Sequence, residues 1–151
     1  MINLLLGFEG RISRTQFWIG LLITAAAELV LMFIFGIPFF PTEMKPFSVR
    51  LIEFAIQLVT VYPTAAIAVK RLHDRNQPGH YAAWLVGLTM IIALTNLFGL
   101  TDDPKNSTWL DWVLGLCAIV VGLAFVFELG FRRGTIGENR YGLDPLGNPT
   151  S

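Results

Sequence analysis

Four long apolar runs alternate with short polar stretches, at roughly 15–36, 49–69, 81–100 and 109–131. Crossing ~30 Å of hydrocarbon at 1.5 Å per residue takes about 20 residues, so each run predicts a membrane-spanning helix. The runs are apolar all round, whereas a helix of a soluble bundle keeps a polar face. The pattern therefore predicts an all-α fold, a four-helix transmembrane bundle with short loops. Residues 1–151 read as one polytopic membrane domain, with a polar, glycine-rich tail at 132–151 that lacks the apolar residues for a core of its own.

The punctuation between the runs is equally legible. Residues 1–9 are greasy but too short to span, and predict an interfacial segment. Ser13 is placed to cap the first helix, with Gln16 completing a capping box. Phe17 and Trp18 sit at headgroup level. The stretch 37–48 holds Pro38, Pro41 and Pro46, which deny a helix its donors, so it reads as a connector carrying an interfacial Phe39–Phe40 pair. Pro63 predicts a kink in the second span. The most polar run, from Lys70 to Tyr81, reads as the central loop, with Pro78–Gly79 in a type II turn. Thr101 to Thr108 reads as a second turn; its Asn106-Ser107-Thr108 triplet matches a glycosylation acceptor so short that chance suffices. On the fourth span Gly115, Ala118 and Gly122 share a face that would let another helix approach closely.

Composition agrees: 54% hydrophobic and 15% charged, against about 45–50% and about 25% in soluble domains. The single cysteine, Cys117, excludes an intrachain disulfide. Ala25-Ala26-Ala27 imitates a signal cleavage site, but apolar residues continue to Gly36, as in a retained span. No fixed-period repeat relates the two hairpins. The net charge of zero matters less than its distribution. With four spans, Arg11, Arg14, Lys70, Arg71, Arg75, Arg132, Arg133 and Arg140 share one side, and Lys45, Arg50 and Lys105 the other. This bias predicts that both termini and the central loop are cytoplasmic.

Three segments carry a family resemblance: Gly10-Arg11-Ile12-Ser13-Arg14-Thr15-Gln16-Phe17-Trp18, Lys70-Arg71-Leu72-His73-Asp74, and Gly137-Glu138-Asn139-Arg140-Tyr141-Gly142-Leu143-Asp144-Pro145. In this order around four spans the chain resembles domain-of-unknown-function family 805, the YhaH-like bacterial inner-membrane proteins, from about residue 8 to 145. The family's tryptophan pair after His-Asp is replaced here by Arg75 to Tyr81, with Trp84 following. The resemblance implies a bacterial inner (plasma) membrane protein and no particular activity.

Candidate chemistry gathers on the basic side. Arg11, Arg14, Arg71, His73, Asp74, Arg75 and Asn139 are the candidate site residues, as a surface for an anion or lipid headgroup, because guanidinium offers a bidentate fork to phosphate. Without any ligand, the same cations would complement the dipole of the second helix and pair with Asp74, Glu138 or Asp144. The tail from Gly137 to Pro145 is expected to dock on the Arg71–Asp74 segment, with Arg11 or Arg14 in salt-bridge reach of an acid. His73, Asp74 and His80 match no standard metal spacing, so neither metal nor cofactor is expected. No nucleophilic triad assembles, and basic residues among aromatics here mark membrane interfaces rather than nucleic-acid binding.

Within the spans, Glu28, Glu53 and Gln57 form a polar set, extended by Thr60 and Thr64 at helical spacing. Glu28 lies ~18 Å from the basic side. An ionisable residue there should face the bundle interior with a partner. A Glu28–Gln57 hydrogen bond joining two helices is one expectation, and a proton or ion path the other. Glu128 is expected to pair with Arg132 along one helix. Three function classes follow. The first is a non-catalytic accessory protein that contacts membrane lipids, a membrane-protein partner or a second copy of itself. The second is a transporter or channel component using Glu28, Glu53 and Gln57. The third is an enzyme acting on a lipid headgroup through His73 and Asp74.

Overall fold

The computed structural model describes residues 2–39 and 42–147. Phe40, Pro41 and the last four positions of the tail, with the expectations placed on them, lie outside the described residues. A short helix α1 (Ile2–Leu6) precedes α2 (Arg14–Ile34), α3 (Phe47–Asp74), a 3-10 turn (Gly79–Tyr81), α4 (Ala82–Leu97) and α5 (Trp109–Phe125). The last helix widens into a π-helical turn over Val126–Phe131. Four of these stretches are long and apolar enough to cross a membrane, with mean hydropathy between 1.4 and 2.4. The all-α, four-span architecture is therefore as the periodicity predicts.

Local chemistry explains the helix starts. Ser13 Oγ accepts from the Gln16 amide at 3.2 Å and Gln16 Oε1 accepts from the Ser13 amide at 2.9 Å, closing the capping box. Thr108 and Asp111 build an unanticipated second box at the start of α5. Three expectations need correction. Lys70 to Asp74 are not loop but the last turn of α3, which runs through Pro63 without ending, so the connecting loop shrinks to 75–78. Pro78–Gly79 is not a type II turn: Gly79 opens the 3-10 turn without positive φ, and it is Asn76 that takes φ 57°. Gly79 matters for space, since a Cβ there would lie 2.6 Å from Val69 and 3.0 Å from the His73 ring. Gly115 and Gly122 have open space where a Cβ would go, so among the described residues neither marks a close helix approach. The close approaches are instead Gly20 to Ile67 and Gly130 to Trp18.

Packing is uneven along the bundle. Helix α3 is central, touching α1, α2 and α4, while α5 lies along α4. The π-helical turn brings the end of the fourth span back onto α2 and α3. The tightest core, Ile12, Phe17, Ile67, Ala68, Leu72, Ala82 and Leu129, therefore lies at the end carrying the 75–78 loop. Among the described residues, α2 and α4 do not touch. Between them, over α3, lie two cavities lined by residues of all three helices, Glu28 and Gln57 among them.

Candidate functional site

The loop end is built around one buried guanidinium. Arg71 is 1% exposed, and removing a cation from water costs several kcal/mol unless its donors are satisfied. They are. Nε donates to the Leu129 carbonyl at 2.7 Å, Nη1 to the Ile12 carbonyl at 3.3 Å and to Asp74 Oδ2, and Nη2 to the Arg132 carbonyl at 2.6 Å. Leu129 and Arg132 belong to a helix end, where the final carbonyls have no helical partner and carry the negative pole of the dipole. Arg71 thus caps the fourth span, holds the segment before the first, and ends the second.

Arg11 mirrors it from the other side of Asp74. Its Nε donates to Asp74 Oδ1 at 3.1 Å. The Nη groups donate to the carbonyls of Gly137 (2.7 Å), Gly142 (3.1 Å) and Thr135 (2.6 Å), and to Thr135 Oγ1 (3.2 Å). Asp74 is therefore a single carboxylate between two buried arginines. The tail docks where expected. Thr135 donates from its amide (2.8 Å) and hydroxyl (2.9 Å) to the Asp74 carbonyl, and Asn139 Nδ2 donates to the His73 carbonyl at 3.0 Å. Gly134 is needed for the approach, because a Cβ there would collide with the Asp74 carboxylate. His73 stacks on Tyr141 with centroids 3.8 Å apart, its Nδ1 facing the Gly10 carbonyl at 3.3 Å. Arg75 pairs with Glu128, which also takes Arg132 at 2.6 Å in the expected i,i+4 pair.

Of the candidate surface residues, Arg11, Arg71, His73, Asp74 and Asn139 thus come together, while Arg75 turns to Glu128. Arg14 stands apart, its one bond a long 3.4 Å contact to the Phe131 carbonyl. A cavity of about 220 Å³ lies beside the knot, lined by Arg14, Arg71, Asp74, Arg133, Asp144 and residues 134–136 among others. Asp144 does not reach an arginine as the tail acids were expected to. The amides of Leu146 and Gly137 donate to its carboxyl and hold it below the ordinary carboxylate range. Two participants were missed. Thr135 is one uncharged residue in a glycine-rich tail, with nothing in its surroundings to single it out. Lys70 donates to the Asn3 and Leu4 carbonyls at 2.6 and 2.5 Å, tying α1 down; its place one helical turn before Asp74 was the available signal.

The intramembrane set is arranged differently. Glu28 and Gln57 line the same two cavities, so Glu28 faces inward, but the expected hydrogen bond between them is not made. Among the described residues, the Glu28 carboxyl has neither a hydrogen-bond nor a charge partner. Glu53 belongs to the connector end, where Lys45 Nζ reaches it at 2.6 Å and Asp102 at 2.9 Å. Burial pulls the Lys45 ammonium down, yet these two carboxylates outweigh it and leave it above its ordinary value. Arg50 Nε is buried without a partner, and its Nη1 makes only a 3.4 Å contact to the Asn96 carbonyl. Among the described residues no His, Cys, Asp and Glu cluster is arranged to hold a metal ion.

Residues 5–143 match the family described as "Protein of unknown function (DUF805)". The chain is 33% identical over 141 residues to "Uncharacterized protein YiiR" of Escherichia coli K12, covering 93% of this chain and 86% of that protein. It is 28% identical over 142 residues to "Inner membrane protein YhaI" of the same strain, covering 92% and 86%. No solved structure matches it. The family match takes in all four spans together with Arg11, Arg71, Asp74 and Asn139, and this membrane protein belongs to the DUF805 family.

Proposed function

We propose that this protein is a non-catalytic accessory protein of the bacterial inner membrane, with the Arg11–Asp74–Arg71 knot on the cytoplasmic side, contacting anionic lipid headgroups through Arg14 and Arg133. The observation that carries this reading is how the basic residues are used. Arg11 and Arg71 spend their donors on carbonyls and Asp74, so neither is free to grip a phosphate. Arg14 and Arg133 are exposed, make no ion pair among the described residues, and flank one cavity at the level where the first and fourth spans end. Guanidinium groups at that depth suit phosphate. The enzyme reading loses support because Asp74 lies between two arginines and His73 is stacked. Orientation rests on the eight-to-three division of basic residues.

In nanodiscs containing phosphatidylglycerol, Arg14→Gln with Arg133→Gln should reduce co-purifying anionic lipid at least about threefold, without loss of thermal stability. Single cysteines at Asn76 and Asn106 in a Cys117→Ala background test the orientation. Only the one at 106 should react with an impermeant thiol reagent in intact cells; labelling at 76 would reverse the topology. A second reading, as a transporter component, draws on the cavity at Glu28 and Gln57. It is weakened by the apolar stretch between Phe17, Leu21, Ile67 and Leu129 and by the knot beyond, which leave the polar path ending inside the protein.

A further inference from the structure

The cavity at the connector end, about 140 Å³, is lined by Glu28, Lys45, Arg50, Glu53, Gln57 and Asn96 among others. Its charges are unequally used. Lys45 and Glu53 pair at 2.6 Å. Among the described residues Glu28 has no charge or hydrogen-bond partner, and Arg50, its Nε unbonded, has a 3.4 Å contact to the Asn96 carbonyl and lies over the Phe47 ring but meets no carboxylate. The buried Arg50 Nε lacks an acceptor and the half-buried Glu28 carboxyl lacks a donor, and each would be relieved by a ligand group of opposite charge. Two opposite charges without charged partners in one cavity suit a ligand carrying both charges.

Spacing and size narrow the class. Glu28 lies six residues before the end of α2 at Ile34, and Arg50 three after the start of α3 at Phe47. At 1.5 Å per residue they sit ~9 Å and ~4.5 Å in from the connector end, so the axial separation is about 5 Å. A cavity of this volume is close to the ~150 Å³ that accepts benzene, and suits a ligand of somewhat under ten heavy atoms. The amides of Gln57 and Asn96 add neutral donors and acceptors between the charged ends.

We infer that this cavity is a binding site for a small zwitterion, its ammonium on Glu28 and its phosphate or carboxylate on Arg50. The same chemistry is carried by free O-phosphoethanolamine and by the headgroup of phosphatidylethanolamine; a lipid would have to turn its ammonium about 5 Å below its phosphate to reach Glu28, and the test separates the two sources. The site is at the opposite end of the bundle from Arg14 and Arg133, so it stands or falls apart from the reading above.

The test uses the full chain in a zwitterion-free, non-ionic detergent. O-phosphoethanolamine should bind by calorimetry at least about tenfold more tightly than ethanolamine or inorganic phosphate alone, since each half engages one charge. Glu28→Gln and Arg50→Gln should each weaken it by about tenfold or more, and Arg14→Gln should leave it unchanged. In parallel, the protein is reconstituted in nanodiscs of equal phosphatidylethanolamine and phosphatidylglycerol and examined by native mass spectrometry. One retained phosphatidylethanolamine, lost in both pocket variants, identifies the lipid as the source. Binding of the soluble zwitterion without lipid retention identifies a free ligand. Equal binding of the two halves and the whole, or no binding of either source, overturns the proposal; the comparison of halves with whole needs no variant to fold.

Discussion

Two carboxyls in this bundle live by opposite rules. Asp74, at the loop end, is 3% exposed and lies between Arg11 and Arg71. Glu28, toward the connector end, is half-buried and has no partner among the described residues. The first accepts from one donor of each arginine, so its charge is an integral part of the packing. The second faces a cavity, so its charge is available to something else. One carboxyl is spent on the protein's own packing, and the other is held in reserve.

That contrast can be broken by experiment, most forcefully at Asp74. Asp74→Asn keeps the shape but leaves two buried guanidinium groups without a counter-charge. Breaking a buried pair from one side costs about 3–5 kcal/mol, so thermal unfolding in mild detergent should show a large loss of stability. A loss below about 1 kcal/mol would mean that the carbonyls alone hold the arginines. Gly134→Ala probes the same junction by volume alone, since its methyl would meet the Asp74 carboxylate. Overpacking of this kind costs about 1–3 kcal/mol, with faster amide exchange at Thr135 and Asn139 as the local readout. Glu28→Gln, without ligand, should shift stability by less than about 0.5 kcal/mol. A loss comparable to that of Asp74→Asn would erase the distinction between the two ends.

How much of this was legible in the chain follows the same division. The spans, the Ser13–Gln16 box and the Glu128–Arg132 pair are local patterns, written within a few residues, and they appear as the sequence implies. The meeting of Arg11, Arg71 and Asp74 with the tail was also readable, because the membrane brings the span ends to one plane and glycines let the tail return. What could not be read is who satisfies whom. The sequence offers carboxylates as partners for arginines, but most donors of Arg11 and Arg71 go to backbone carbonyls, which every residue possesses and no sequence pattern marks. Glu28 and Gln57 were rightly placed on facing surfaces. Whether facing side chains touch or leave a gap between them is decided by helix separation, which a pattern of single residues does not encode.

The span of Arg11's hydrogen bonds has a consequence for the order of assembly. Its tail partners lie 124 to 131 residues further along the chain, and leave the ribosome after all four spans. At about 5–20 residues per second, Arg11 waits on the order of ten seconds for them. In that interval all four spans can already be threaded, yet the fold has no clasp. Asp74 is present, but the carbonyls of Thr135, Gly137 and Gly142 are not. Synthesis of the tail is thus registered near Arg11: a chain that stops before Thr135 keeps an open, charged segment there, and one that includes residues 135–142 hides it.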